Sequence, residues 1–230
     1  MQKLRFLKLE NVSIFEQLQL EEKLLRGSTE NFCLYNVGSP PAVVMGISGK
    51  KEELVHLPNP LPLIRRFSGG GTVVINEETH FLTWIFNHAD TPTKPFPKSI
   101  LHYVGEQVEE LLPGSTISEN DFTLNELKFG GNAQYITKKR WLHHTSLLWD
   151  YNPKQMAYLK HPRKTPAYRE GRSHEAFLHK LKDSLSEPEE ILERLEEALE
   201  KRYNVIPTSL EEVENTSPTR RSTLILEPEQ

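Results

Sequence analysis

The sequence predicts a mixed α/β fold, a sheet covered by helices in one domain, on three observations. Strand-like runs rich in β-branched and aromatic residues recur through the first two thirds of the chain, isolated amphipathic stretches stand between them, and no internal repeat is present. At 230 residues there is ample material for a core, as one large domain or two small ones.

The elements follow in order. Phe6 to Leu9 is a short apolar run broken by Lys8. Ser13-Ile14-Phe15-Glu16 has the spacing of a capping box, and Phe15, Leu18 and Leu25, with Ile14 and Leu24, then mark one helical face. Phe32 to Tyr35 and Ala42 to Met45 read as strands parted by Gly38-Ser39-Pro40-Pro41. Phe81 to Phe86 is a further strand, and prolines 92, 95 and 97 force a loop. From about Lys98 to Leu112, Ile100, Leu101, Val104, Val108 and Leu111 keep helical period. Leu127 to Ile136 and Trp141 to Trp149 flank Thr137-Lys138-Lys139 as a hairpin. Pro153 to Arg172 is polar, proline-punctuated and aperiodic, a loop long enough to close over a site. His174 to Leu185 and Ser186 to Tyr203 read as helices, the second opening on a Ser186/Glu189 capping box and carrying Leu192, Leu195 and Leu199. The residues from Glu211 mix charge, Ser/Thr and Pro, and partial disorder is expected there.

Composition narrows the function classes. The net charge of −4 argues against nonspecific nucleic-acid binding, which depends on a basic surface. No run spans a membrane, Met1 to Phe6 lacks the apolar stretch of a secretory signal, and Glu10 and Glu16 are unlike a transit peptide; a cytoplasmic protein is expected. The single cysteine excludes an intramolecular disulfide and a cysteine-rich zinc cage. Cys33 lies in an early apolar strand and reads as a structural thiol.

Three segments carry chemistry. Arg65-Arg66-Phe67-Ser68-Gly69-Gly70-Gly71-Thr72 runs between apolar stretches as strand, loop, strand. Its backbone N–H groups form a nest for an anion and Arg66 adds a forked cation; the competing reading is a tight hairpin turn without a ligand. It is neither a Walker loop nor a dinucleotide fingerprint, because Thr72 leads into Val73-Val74-Ile75 and not into a helix. Lys128 precedes Gly130-Gly131 inside a strand, where it either aims its ammonium at a ligand or sits solvated on an outer face. His143 and His144 are adjacent strand residues and point to opposite faces, so they cannot chelate one metal together.

In this order, the glycine loop, Lys128-Phe129-Gly130-Gly131-Asn132-Ala133-Gln134, His143-His144-Thr145-Ser146-Leu147-Leu148 and Tyr168-Arg169-Glu170-Gly171-Arg172 through Leu178 resemble the motifs of lipoate–protein ligases. The resemblance implies a largely antiparallel central sheet flanked by helices, similar to biotin ligases and distantly to class II aminoacyl-tRNA synthetases. It implies a catalytic domain over residues 1–205 and a tail over 206–230, without the accessory domain of many relatives. Lipoate or octanoate would be activated with ATP, with Mg²⁺ expected, and the acyl group moved to a lysine of a lipoyl acceptor domain. Such domains belong to 2-oxoacid dehydrogenase acyltransferase subunits or to the glycine-cleavage carrier protein.

Carried over residue by residue, the resemblance makes Lys128 the catalytic cation at the reacting centre. Arg66, Ser68, Gly69, Gly70, Gly71, Thr72, Asn76, Asp121, Gly131, Asn132, Ala133, His144 and Thr145 would bind the acyl-adenylate, and Val73, Ile75 and Trp84 would line an acyl slot. No metal ligand is assigned. Two positions depart from the family pattern: Asn76 stands where an acidic residue is common, and Thr145 where a glycine is. The alternatives are a transferase that uses preformed acyl-AMP or an accessory subunit, a biotin ligase, and a non-catalytic acyl-binding protein.

Overall fold

The N-terminal apolar run extends into a full strand because a neighbour pairs with it on each side. The computed structural model describes residues 1–160, 165–214 and 222–226. The first half comprises β1 (Gln2–Glu10), α1 (Ile14–Gly27), β2 (Phe32–Val37), β3 (Ala42–Met45), α2 (Lys51–Leu54), β4 (Leu63–Arg65), β5 (Val73–Ile75) and β6 (Thr79–Asn87). Then come α3 (Pro97–Leu111), β7 (Thr116–Ser118), β8 (Asp121–Leu124), β9 (Leu127–Ile136), β10 (Arg140–Leu148) and α4 (Pro153–Met156). The described chain closes with α5 (His174–Phe177), α6 (Glu189–Arg202), β11 (Tyr203–Pro207), α7 (Leu210–Glu214) and β12 (Leu224–Leu226).

Among the described residues the strands form two sheets. The larger has the order β11-β1-β2-β6-β10-β9-β8-β7 and the smaller β12-β4-β3-β5. In the larger sheet β1 runs parallel to β2 and β11, and every other pairing is antiparallel. The expected mixed, largely antiparallel sheet flanked by helices is the fold observed. The glycine loop is not a hairpin turn: β4 and β5 lie on opposite sides of β3, parallel and antiparallel to it.

Period-two alternation sorts the large sheet into two faces. Leu4, Phe6, Tyr35, Trp84, Phe86 and Trp141 pack on one side against α3 and α6. Leu7, Leu34, Phe81, Ile85 and Leu142 pack on the other against α1 and the small sheet. Trp84 is fully buried on the α3 side, so it is not part of an acyl slot. Cys33 shares that core, and burial pushes its thiol well above the usual range.

Several local expectations are corrected by tertiary contacts. Ser13 caps α1, its hydroxyl accepting from Glu16 N. The helix expected over 174–185 is only the short α5, after which Leu178 bridges Lys128 and His179 N donates to Lys128 O at 2.8 Å. A sheet edge has taken the backbone bonds that a longer helix needs. α6 opens at Glu189 rather than Ser186, because Pro188 occupies its N-cap and Glu190, not Glu189, accepts from Ser186 N and Glu187 N. The loop over 153–172 holds α4 and a 3₁₀ turn at Ala167–Arg169, while 161–164 lie outside the described residues. Past Tyr203, β11 pairs with β1 and β12 with β4; the disorder expected from Glu211 onward falls partly on 215–221 and 227–230, outside the described residues.

Candidate active site

A cavity of about 960 Å³ opens where the α1-side face of β6, β10 and β9 meets the glycine loop, β5 and the segment 165–178. It collects Arg66, Gly69, Gly70, Gly71, Thr72, Asp121, Lys128, Gly131, Asn132, Ala133 and His144 from the residues singled out in the sequence. Ser68, Asn76 and Thr145 are not on its wall. Val73 and Ile75 are, beside Ile14, Leu18, Val44 and Phe81, which give the cavity an apolar part.

The glycine loop is held by its own arginine. Arg66, only 4% exposed, donates from Nη2 to Gly69 O at 2.9 Å and Gly71 O at 2.8 Å. Burial lowers this guanidinium to about 10, with the Glu21 carboxylate acting in the opposite direction. Gly70 has φ +109°, and a Cβ there would stand 2.7 Å from Arg66 Nη2 and 3.0 Å from Asn132 O. Gly46, at the end of β3, is equally constrained, since its Cβ would meet Gly70 O at 2.4 Å. Ser68 is buried and is not among the lining residues, and its carbonyl accepts from Ile47 N at 3.0 Å. Asn76 shapes the turn into β6, its Oδ1 accepting from Glu78 N and Thr79 Oγ1.

Lys128 reaches the cavity through a break in strand register. Phe122 pairs with Gly130 but Thr123 pairs with Lys128, leaving Phe129 as an extra residue on β9. Phe129 and Gly130 therefore both face the α3 side: Phe129 stacks on Phe122, and a Cβ on Gly130 would touch Phe122 and Thr145. Lys128 and Gly131 share the opposite face, where a Cβ on Gly131 would lie 3.7 Å from Lys128 Nζ. The ammonium is not a solvated edge lysine; its side chain is 21% exposed and its Nζ lies 2.7 Å from Asp121 Oδ1. Asp121 Oδ2 accepts from the Tyr168 hydroxyl at 2.8 Å, so the segment 165–178 is tied to the carboxylate that holds the lysine. Burial first, then the Asp121 charge, raises the Tyr168 phenol.

The two histidines part as alternation requires. His144 lines the cavity, and its Nδ1 lies 2.8 Å from Glu21 Oε1, to which Thr83 Oγ1 (2.7 Å) and Gln17 Nε2 (2.8 Å) also donate. His143 is fully buried on the far face. Gln134 Nε2 donates to its Nδ1 at 2.9 Å, which leaves the proton on Nε2 to reach Asn132 Oδ1 at 3.0 Å. Thr145 donates to the same Asn132 oxygen at 2.8 Å. The Thr145 side chain thus points to the α3 face, and Asn132 meets the loop through its carbonyl near Gly70. Burial drives the His143 imidazole down to about 3, the neighbouring His144 adding to the shift.

Glu21, Gly46, Tyr168 and Arg169 were not singled out as site residues. Glu21 did carry a signal: it falls at helical spacing inside the Leu18/Leu25 stripe, where a carboxylate is out of place. Gly46 carried none, because its neighbour Gly70 is remote in sequence.

The lipoyl protein ligase A/B catalytic domain model matches residues 13–201. The inactive lipoate–protein ligase 2 of Plasmodium falciparum (isolate 3D7) is 27% identical over 262 residues, spanning 84% of this chain and 68% of that protein. A bipartite lipoate protein ligase of Thermoplasma acidophilum, described with its E2 lipoyl domain, has a TM-score of 0.78 at 19% identity, covering 94% of this chain and 91% of that one. Lipoate-protein ligase A bound with ATP gives 0.72 at 19% identity, covering 94% and 92%. At such identities the two structures speak for the fold alone, whereas the family model takes in the glycine loop, Lys128 and the His143-His144 strand together. The chain belongs to the lipoyl protein ligase A/B catalytic domain family.

Proposed function

We propose that this chain is an ATP-dependent lipoate–protein ligase that joins lipoate or octanoate to AMP and passes the acyl group to one lysine of a lipoyl acceptor domain. One observation carries the reading: the Lys128–Asp121 pair enters the same cavity as the glycine loop, and an apolar wall of Ile14, Leu18, Val44 and Phe81 continues from it. An acyl-adenylate has that distribution of charge and hydrocarbon, and the cavity volume suits a ligand of its size.

In the first half-reaction a carboxylate oxygen of the acid attacks the α-phosphorus of ATP, and pyrophosphate leaves. In the second, the acceptor amine attacks the acyl carbon; a C–N bond forms, the bond to the AMP phosphate oxygen breaks, and the amine loses a proton. Loop N–H groups around Gly69 to Thr72 would hold the anhydride oxygens, and Lys128, fixed by Asp121, would lie against the oxygen that gains charge. Mg²⁺ bound with the triphosphate would supply charge neutralisation, with Asp121 and Glu119 as the carboxylates on this wall. Among the described residues no three His, Cys, Asp or Glu side chains gather as a metal cage.

The relative named inactive supports a second reading, a protein that binds acyl-adenylate without transfer. The bipartite relative supports a third, in which adenylation needs another polypeptide. One assay separates them: the purified chain is incubated with an unmodified lipoyl domain and either lipoate, octanoate or biotin plus ATP, or preformed acyl-AMP. Intact mass of the acceptor is the readout. A lipoyl or octanoyl adduct with ATP is expected, and Lys128→Ala should lower its rate by about 10²-fold or more. An adduct only from acyl-AMP would identify a transferase, a biotinyl adduct a biotin ligase, and none in any arm a binding protein.

A further inference from the structure

Among the Lys and Arg side chains on the described cavity wall, only Arg169 keeps a buried nitrogen without a hydrogen-bond partner. Arg66 is taken by the loop carbonyls, Lys128 by Asp121, and Lys160 Nζ by Glu52 O. Arg169 is 4% exposed and lines the cavity from the segment 165–178. Its Nε donates to Arg172 O at 3.0 Å and its guanidinium carbon lies 5.0 Å from the Phe177 ring centroid, which together fix the plane of the fork. Its Nη2 is buried and has no hydrogen-bond partner. Among the described residues no carboxylate forms an ion pair with it. Burial lowers its pKa, the neighbouring Tyr168 phenol acting in the opposite direction.

A buried guanidinium without a counter-charge is costly unless something completes it, and a fixed planar fork fits a tetrahedral oxyanion. Two further facts place that anion near the chemistry. The preceding residue, Tyr168, holds Asp121 and through it Lys128, so the free donor belongs to the wall that grips the reacting centre. On the glycine-loop side of the cavity, Thr72 Oγ1 is also buried without a partner.

We infer that Arg169 binds a phosphoryl group of the nucleotide through its free Nη2, a contact that rests on the acyl-adenylate reading above. The phosphoryl group is either that of AMP or that of pyrophosphate, and the two can be told apart. Calorimetric titration of the full chain, as wild type, Arg169→Gln and Arg169→Lys, would use AMP, inorganic pyrophosphate and adenosine as probes. The wild type should bind AMP or pyrophosphate, and AMP more tightly than adenosine if the α-phosphate is the one held. Arg169→Gln should weaken that phosphate-bearing probe about tenfold or more and leave adenosine unchanged, with Arg169→Lys in between.

Loss confined to AMP places the guanidinium at the α-phosphate, and loss of pyrophosphate places it at the leaving group. Equal weakening of adenosine, or no change with either phosphate, overturns the inference. Should Arg169→Gln fail to fold, the wild type decides: AMP no tighter than adenosine, together with no pyrophosphate binding, is equally fatal. Phosphate binding that depends on Arg169 in a chain that acylates nothing would count against the ligase reading and leave this site standing.

Discussion

Single residues in this molecule take their roles from which face of the sheet they reach. His143 and His144 are chain neighbours of one chemical type, yet one is locked neutral in a far-face network and the other meets Glu21 at the cavity. Cys33 faces the helical core, where its thiol is raised, on the side of the sheet away from the cavity wall. Cys33→Ala should therefore keep the acylation rate per folded molecule within about twofold and cost on the order of 1 kcal/mol in a urea melt. Abolished transfer with an intact fold would instead make the thiol a nucleophile.

Elements show where sequence reading succeeds and where it stops. The stripe Ile100, Leu101, Val104, Val108 and Leu111 announced α3 because helical period and burial coincide in one local segment. The β9–β10 hairpin was equally plain. α5 was over-read, since Leu178 and His179 give their backbone to Lys128, fifty residues upstream. The glycine loop was legible as a loop between two strands but not as a piece packed on Gly46, because that contact depends on β3 lying between β4 and β5. Gly46→Ala follows from this: a Cβ 2.4 Å from Gly70 O must push the loop away. Expected are at least tenfold weaker acyl-adenylate binding and a loss of about 1–3 kcal/mol in stability, measured by calorimetry and urea titration. Unchanged affinity would show that the loop's position is immaterial to the ligand.

At the scale of the whole molecule, the large sheet divides a cavity from a helical core that keeps histidines uncharged. Burial lowers His143 to about 3 and His80, beneath Trp149, to about 4, with Glu189 opposing the latter shift. Unfolded imidazoles bind protons near pH 6.5, while the folded ones do so only near 3 to 4, so the unfolded state gains protons first as pH falls. The contribution of each is full above pH 6.5 and drains by up to about 1.4 kcal/mol per pH unit toward its folded value. Urea midpoints should fall steeply from pH 6.5 to 4, and His80→Gln should flatten the slope by roughly one proton; an unaltered slope would show that His80 does not titrate in that window.

The extra residue on β9 has a reach beyond its own hairpin. Along a regular strand, sidedness is a matter of parity, and residues an odd number of places apart look in opposite directions. Lys128 and Gly131 are separated by an odd count, and only the skipped beat at Phe129 makes it even. The cation's address is thus stored in the phase of the strand and not in the lysine itself. Straightening β9 would turn the ammonium toward hydrocarbon while every cavity residue remained in the sequence, and a chain one residue shorter there would reach the same side on an unbroken strand.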